Sequence, residues 1–101
     1  MNTNPLSQVQ CIVAAMVSQP HKTIWYAKDF MPPERDFNDP FFVGYEASAR
    51  MSDLLRMYPY MFEAGKQGKY RTLRFKFEDK HAILAKCYDD MKQVIIKHLV
   101  I

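Results

Sequence analysis

Glycine and cysteine are scarce in this sequence, and no long apolar run is present. The 101 residues include three glycines and six prolines, so no stretch is of low complexity, and no internal repeat is found. Without a charged leader or an apolar stretch of about 18–20 residues, we expect neither a signal peptide nor a membrane-spanning helix. Hydrophobic residues make up 49% of the chain, which predicts one folded domain over residues 1–101 rather than a disordered chain. We expect a cytoplasmic location.

Catalytic and metal-binding patterns are also missing. His21, His81 and His98 have no metal-ligand spacing with one another or with the cysteines, so no zinc site is predicted. The sequence has no phosphate-cradling glycine loop, nucleophile elbow or Ser/His/Asp ordering. We therefore predict that the protein is not an enzyme and has no cofactor. Cys11 and Cys87 each lie in an apolar helical pattern, which indicates two buried free thiols.

Positive charge is concentrated in one part of the chain. The net charge is only +3, yet five cations and no anion lie between residues 66 and 77. These cations are Lys66, Lys69, Arg71, Arg74 and Lys76. A concentrated basic patch attracts polyanions more strongly than the same charge dispersed over a surface. The alternative is a solvated edge strand that its charges protect from aggregation.

The first 44 residues are predicted to contain two helices and a long loop. Asn4 and Pro5 have the residue types that cap and start a helix, which then ends near Ser18 before Pro20. Residues 24–30 form either a short second helix, the preferred assignment, or an extended segment. Trp25 in this segment is expected to anchor the core, the alternative being a binding aromatic. Three prolines make residues 31–40 a loop.

An amphipathic helix is predicted over residues 45–58. Its apolar residues recur at helical spacing and define one buried face: Ala47, Met51, Leu54, Leu55 and Tyr58. The opposite face carries Glu46, Ala49, Arg50, Ser52, Asp53 and Arg56.

A basic β-hairpin follows this helix at once. Its strands are predicted over residues 60–64 and 70–77, with the turn at residues 65–68, where two glycines supply positive φ angles. Strand alternation predicts that three side chains pack on the helices: Leu73, Phe75 and Phe77. The intervening side chains should face solvent: Thr72, Arg74 and Lys76.

A final helix is predicted over residues 79–99, with Asp79 as its cap. Its continuous apolar stripe is larger than a domain of this size needs to bury internally. Since large exposed apolar patches usually mark interfaces, we predict a homodimer. The predicted interface consists of Ile83, Cys87, Met91, Val94 and Ile95. The alternative is that this helix packs across the first helix of the same chain.

Two segments resemble the winged helix-turn-helix family of small phage and bacterial proteins. Residues 49–55 (Ala-Arg-Met-Ser-Asp-Leu-Leu) resemble its recognition helix, and residues 65–75 resemble its wing. The resemblance covers roughly residues 5–78. It implies an α+β, mainly α, fold of three helices and a basic hairpin wing, to which this chain adds the long helix at 79–99. It also implies binding to double-stranded DNA, with the third helix in the major groove and the wing on the backbone.

The resemblance also implies residue roles. On the third helix it places four residues toward the groove: Ser48, Ala49, Arg50 and Asp53. On the wing it implies contacts by Lys66, Lys69 and Arg71. Arg74 is a further candidate for a phosphate contact, and Tyr70 either stacks on a base or sugar or packs against the adjoining strand. The guanidinium group of Arg50 is suited to bidentate recognition of guanine. The alternative is that Arg50 forms a surface ion-pair cluster with Glu46 and Asp53.

Two functions follow from these features. The first is a nucleoid-associated DNA-binding protein with a regulatory or replication accessory role. The second is a protein-interaction module on the same scaffold, such as a phage-encoded inhibitor or assembly factor. The second is suggested by the charge-balanced face of the third helix and the apolar C-terminal helix.

Overall fold

Three α-helices and one β-hairpin form the α+β fold of the residues described by the computed structural model, which are 6–19, 21–36, 38–76, 82, 83, 85 and 87–99. The α-helices and strands are α1 (Gln8–Ser18), α2 (Ala47–Met57), β1 (Phe62–Gln67), β2 (Tyr70–Phe75) and α3 (Asp89–His98). Short 3₁₀ helices occupy Ala27–Phe30 and Gly44–Glu46, and Ala82, Ile83 and Ala85 are also helical. The α+β class predicted from the sequence is therefore confirmed. No helix within the described part of the chain is long and apolar enough to cross a membrane.

Helix α1 begins at Gln8 because Ser7 and Gln10 form a capping box. The backbone N–H of Gln10 donates to Ser7 Oγ over 3.3 Å, and the backbone N–H of Ser7 donates to Gln10 Oε1 over 3.0 Å. Such a pair satisfies backbone donors that the first helical turn leaves unpaired. The predicted start at residues 4 and 5, which lie outside the described residues, is therefore corrected to a later one. The predicted end near Ser18 is confirmed.

Helix α1 is the centre of the hydrophobic core. Residues 11–17 are all buried, and a helix buried on every side must be covered by several other elements. Helices α2 and α3 both pack against α1. Cys11 on α1 and Cys87 before α3 are both buried, as predicted. Burial raises the pKa of the Cys87 thiol, which lowers its thiolate content and hence its reactivity.

The segment after α1 combines both of the conformations considered for it. Trp25 is extended and forms an antiparallel bridge with Leu73, with N···O distances of 2.9 and 2.8 Å. The 3₁₀ helix Ala27–Phe30 follows, and the Asp29 carboxylate accepts a bond of 2.7 Å from the backbone N–H of Tyr26 at its start. The Trp25 indole is buried and stacks on the ring of Phe30, with 5.4 Å between the ring centroids. The prediction that Trp25 anchors the core is therefore confirmed.

Turns connect this segment to α2. Arg35 fixes them by donating to the backbone carbonyl of Asp29 and to the carboxylate of Asp39, both over 2.9 Å. Burial alone would raise the pKa of Asp39. The hydrogen bonds that its carboxylate accepts from the Phe41 N–H and from Arg35 outweigh this effect, so the pKa lies below its usual value. Gly44, with a φ of 87°, starts the 3₁₀ turn that leads into α2. The long connection predicted from the prolines is present.

The buried face of α2 is the one predicted from its periodicity. Ala47, Met51, Leu54 and Tyr58 are buried, and Leu55 packs against the core while half-buried. The spacing of apolar residues was sufficient to predict this face, because only one side of α2 is covered by other parts of the protein.

The hairpin is longer at its tip than the sequence suggested. Strands β1 and β2 pair from Phe62 opposite Phe75 to Gln67 opposite Tyr70. The turn therefore consists of Gly68 and Lys69, and Gly65 lies inside β1, contrary to the prediction. Only Gly68 has a positive φ, 62°, among the turn residues, which is the pattern of a type II′ turn.

Two further predictions for the hairpin need correction or lie outside the described residues. Thr72 is buried rather than solvent-facing. At the next residue, Leu73, β2 pairs with Trp25 as well as with β1, so other segments flank this part of the strand on both edges. Leu73 is buried and Phe75 packs against the core, as predicted. Phe77 lies outside the described residues.

The C-terminal region is not one continuous helix. Tyr88 has extended backbone angles (φ −70°, ψ 149°), and α3 begins only at Asp89. The Tyr88 ring packs edge-to-face on Tyr58 with 5.0 Å between centroids, which holds the break against α2. Asp89 and Asp90 then occupy the first turn, where carboxylates interact favourably with the helix dipole. The predicted cap, Asp79, lies outside the described residues.

The residues predicted to form a dimer interface are covered within the chain itself. All five are at most 9% exposed: Ile83, Cys87, Met91, Val94 and Ile95. Helix α3 packs across α1, as the alternative interpretation expected. These five side chains therefore offer little exposed surface to a second copy.

Candidate nucleic-acid interface

The hairpin carries the cations predicted from the sequence on its exposed surface. All five are solvent-exposed: Lys66, Lys69, Arg71, Arg74 and Lys76. Arg74 lies opposite Glu63 and forms an ion pair with it at 2.6 Å. None of the other four forms an ion pair with a carboxylate of a described residue. Most of the hairpin charge is therefore available to an external anion.

Two of these cations are direct cross-strand neighbours. Lys66 pairs with Arg71 in the β ladder, one step from the turn. Because side chains alternate along a strand, both project from the same face of the hairpin as the buried Leu73 and the exposed Ala64. Like charges in this arrangement repel each other, which destabilises the hairpin slightly. An anion bound between them would relieve that repulsion.

A groove of about 320 Å³ lies between the hairpin tip, α2 and the segment that contains the first 3₁₀ helix. Tyr26 and Tyr70 both line it and contact each other edge-to-face, with 6.5 Å between ring centroids. Met31 and Met51 add thioether surface, and Ser48 adds a hydroxyl. The groove thus combines aromatic, apolar and hydrogen-bonding groups in one concave site.

The charge in this groove is entirely positive. Lys28, Lys69 and Arg71 line it, and no lining residue carries a carboxylate. The Lys28 ammonium lies 5.4 Å from the Tyr26 ring centre, and the Lys69 ammonium lies 5.7 Å from that of Tyr70. These cation–π contacts hold each charge beside an aromatic face. The groove can therefore receive a ligand that joins an anionic group to a flat apolar one.

The other side of α2 has a different electrostatic character. Arg50 lies 3.0 Å from Asp53 and 3.9 Å from Glu46, and its Nη1 donates to Gln8 Oε1 over 3.4 Å. Arg56 also pairs with Asp53, at 3.1 Å. These contacts form the surface ion-pair cluster that the sequence offered as the alternative to guanine recognition. They neutralise this flank of the helix.

The structure divides the sequence-predicted site into separate surfaces. One group of four lines the groove: Ser48, Lys69, Tyr70 and Arg71. Arg50 and Asp53 lie on another flank of α2; Ser48 and Arg50 are two residues apart, about 200° around a helix. Ala49 is exposed. Arg74 projects from the face of the hairpin opposite to Lys66 and Arg71.

Sequence reasoning missed the third wall of the groove. Tyr26, Lys28 and Met31 precede the hairpin tip by about forty residues. The positive charge of Lys28 does not stand out in the sequence because acidic residues lie near it. The placement of Tyr26 two residues before Lys28 was only a weak sign of a binding surface. The sequence could not show that the Trp25 bridge places this segment beside the hairpin.

The described residues contain no group of three His, Cys, Asp or Glu side chains that could hold a metal ion. Comparison of the chain with protein-family models, with curated proteins and with solved structures found no match. The function is therefore argued from the geometry of the groove and the hairpin.

Proposed function

We propose that this protein is a winged-helix DNA-binding protein that contacts the phosphate backbone through its hairpin. The proposal rests above all on one observation. Lys28, Lys66, Lys69, Arg71 and Lys76 are exposed and have no ion-pair partner among the described residues. Cations of this kind release counterions from DNA when they contact its phosphates, and this release supplies most of the affinity of non-specific binding.

The charge-balanced flank of α2 supports backbone binding over sequence reading. Exposed ion pairs contribute only about 0–1 kcal/mol each, so they hold Arg50 weakly. They nevertheless reduce the attraction of Arg50 for phosphate, and its Nη1 already donates to Gln8. We therefore propose that α2 faces the major groove with little base discrimination, and that the hairpin supplies most of the affinity.

The order of the elements supports the winged-helix assignment. Helices α1 and α2 and two 3₁₀ helices precede a basic hairpin. Helix α2 contacts the first strand of the hairpin, and the Trp25–Leu73 bridge joins the segment after α1 to the second strand. A regulatory or replication accessory role remains our proposal for the process it serves. We expect no catalytic activity, and homodimerisation would require a surface other than the buried face of α3.

The test is fluorescence anisotropy with a labelled DNA duplex across a salt series. The informative variant is Lys66→Ala with Arg71→Ala. We expect the slope of log K against log salt to fall by about 2, since each lost phosphate contact removes about 0.9. The two substitutions remove a like-charge pair, so they should not destabilise the fold.

The matched control is Lys92→Ala with Lys97→Ala. These residues lie on α3, and the double variant has the same net charge as the hairpin variant. The slope of the control should equal that of the unmodified protein. Absence of duplex binding at low salt would refute the proposal, as would an equal loss in both double variants.

A protein-interaction module is the second candidate. It is favoured by three large side chains with high exposure: Tyr45 (86%), Tyr60 (73%) and Met57 (43%). Exposed aromatic and methionine side chains are typical of protein interfaces. A partner retained from nuclease-treated host lysate, and lost when Tyr45 and Tyr60 are changed to Ser, would support this function.

A further inference from the structure

We propose that the groove between α2 and the hairpin tip holds an unstacked base and its phosphate, so that the protein prefers single-stranded nucleic acid to duplex. This inference rests on the proposed nucleic-acid binding and names the form of the ligand. It concerns the surface lined by Tyr26, Lys28, Met31, Lys69, Tyr70 and Arg71.

The chemistry of the groove fits a nucleotide better than a phosphate alone. A site for phosphate alone needs cations and backbone donors, yet this groove also presents two tyrosine rings and two methionines. Bases stack on aromatic side chains whatever their sequence, because every base has a π face. The lysine beside each ring places positive charge next to the stacking surface.

The exposure of the groove residues supports the same ligand. Tyr70 is 58% exposed at the hairpin tip, and the ring of Tyr26 lies in edge contact with it, half-buried. Neither ring is therefore fully used in the hydrophobic core. The volume of about 320 Å³ lies at the lower end of the range for small-ligand pockets, which suits one nucleotide unit rather than a helix.

Paired bases in a duplex cannot reach this site. Their π faces are covered by stacking, and extruding one base costs unstacking and unpairing energy. A single strand presents its bases without that cost. Tyr26 and Tyr70 should therefore contribute to binding of a single strand but not of a duplex, whereas Lys66 should contribute to both through phosphate.

The experiment compares three fluorescein-labelled probes of equal backbone charge. They are an oligothymidylate, an abasic strand of the same length, and a short duplex. We expect the oligothymidylate to bind more tightly than either of the other two. Tyr70→Leu should weaken its binding by about 5- to 150-fold, the range for loss of one stacked base, and should leave the abasic strand and duplex unaffected.

The matched control is Tyr45→Leu, which removes an exposed tyrosine that does not line the groove. Its binding to all three probes should be unchanged. Tyr26→Phe retains the ring and should retain the preference for oligothymidylate. Circular dichroism of each variant establishes that it is folded before its binding is compared.

The outcomes separate this inference from the proposed function. Equal affinity for the oligothymidylate and the abasic strand would overturn the base site while leaving DNA binding intact. Equal losses with Tyr70→Leu on every probe would also overturn it, since the ring would then act without regard to bases. Failure to bind any of the probes at low salt would overturn both proposals.

Discussion

The Tyr58 hydroxyl donates a hydrogen bond of 2.7 Å to the Asp90 carboxylate, which joins the end of α2 to the first turn of α3. Burial, and then the bond to Asp90, raise the pKa of Tyr58 to about 12. The ring also packs against Tyr88, so this single side chain holds the C-terminal region at its break.

We predict that Tyr58→Phe lowers the free energy of unfolding by about 1 kcal/mol at neutral pH, the usual net value of one hydrogen bond. The folded pKa lies above the unfolded value of about 10, so the contribution is complete below pH 10 and disappears as the pH rises through 12. Urea unfolding of both proteins from pH 7 to the alkaline limit measures this. A stability difference that stays constant up to pH 12 would contradict the assignment.

The close approach of Gly65 and Thr72 gives a second prediction. A Cβ atom on Gly65 would lie 2.8 Å from Thr72 Oγ1. Gly65 is exposed but Thr72 is buried, so Gly65→Ala should destabilise the protein by about 1 kcal/mol, the lower end of the range for overpacking. In the Thr72→Ala background the hydroxyl is absent, so adding Gly65→Ala should cost much less. Denaturant unfolding of the four proteins in this cycle gives the coupling energy, and simple additivity would exclude the contact.

Helix α3 gives a third prediction, which separates a core role from a dimer role. Met91 is 1% exposed within the chain, so Met91→Ala should lower the free energy of unfolding by about 2–5 kcal/mol at any protein concentration. Ile96 on the same helix is 51% exposed, and Ile96→Ala should change the free energy of unfolding by less than about 0.5 kcal/mol. Unfolding at several protein concentrations, with sedimentation analysis, tests this. A concentration-dependent midpoint would instead support an interface between copies.

The sequence predicted best where a single helix has a single covered side. The spacing of Ala47, Met51, Leu54 and Tyr58 identified the buried face of α2, because a period of 3.6 residues leaves few alternatives. The basic hairpin was also identified, although its turn was placed too early. Gly65 and Gly68 both offered conformational freedom, and only the strand register showed that Gly68 is the one that needs it.

Other features depend on contacts that a linear pattern does not contain. Ile83, Cys87 and Met91 keep a spacing of four across the break at Tyr88, so apolar periodicity alone could not reveal it. The acidic pair at Asp89 and Asp90 was the available sign of a new helix start. The groove could not be predicted, because its walls are distant in sequence and meet only through the fold.

The Trp25–Leu73 bridge has a consequence for how the groove would behave toward a ligand. The two backbone hydrogen bonds connect the Tyr26 wall to the strand that carries Tyr70. Both walls therefore belong to one rigid unit, and the arrangement of the two rings along the groove is set before any ligand arrives. Preorganisation of this kind reduces the conformational entropy lost on binding. Affinity should then depend on how well a ligand fits a fixed aperture, so bulky additions to a base would exclude it rather than widen the site.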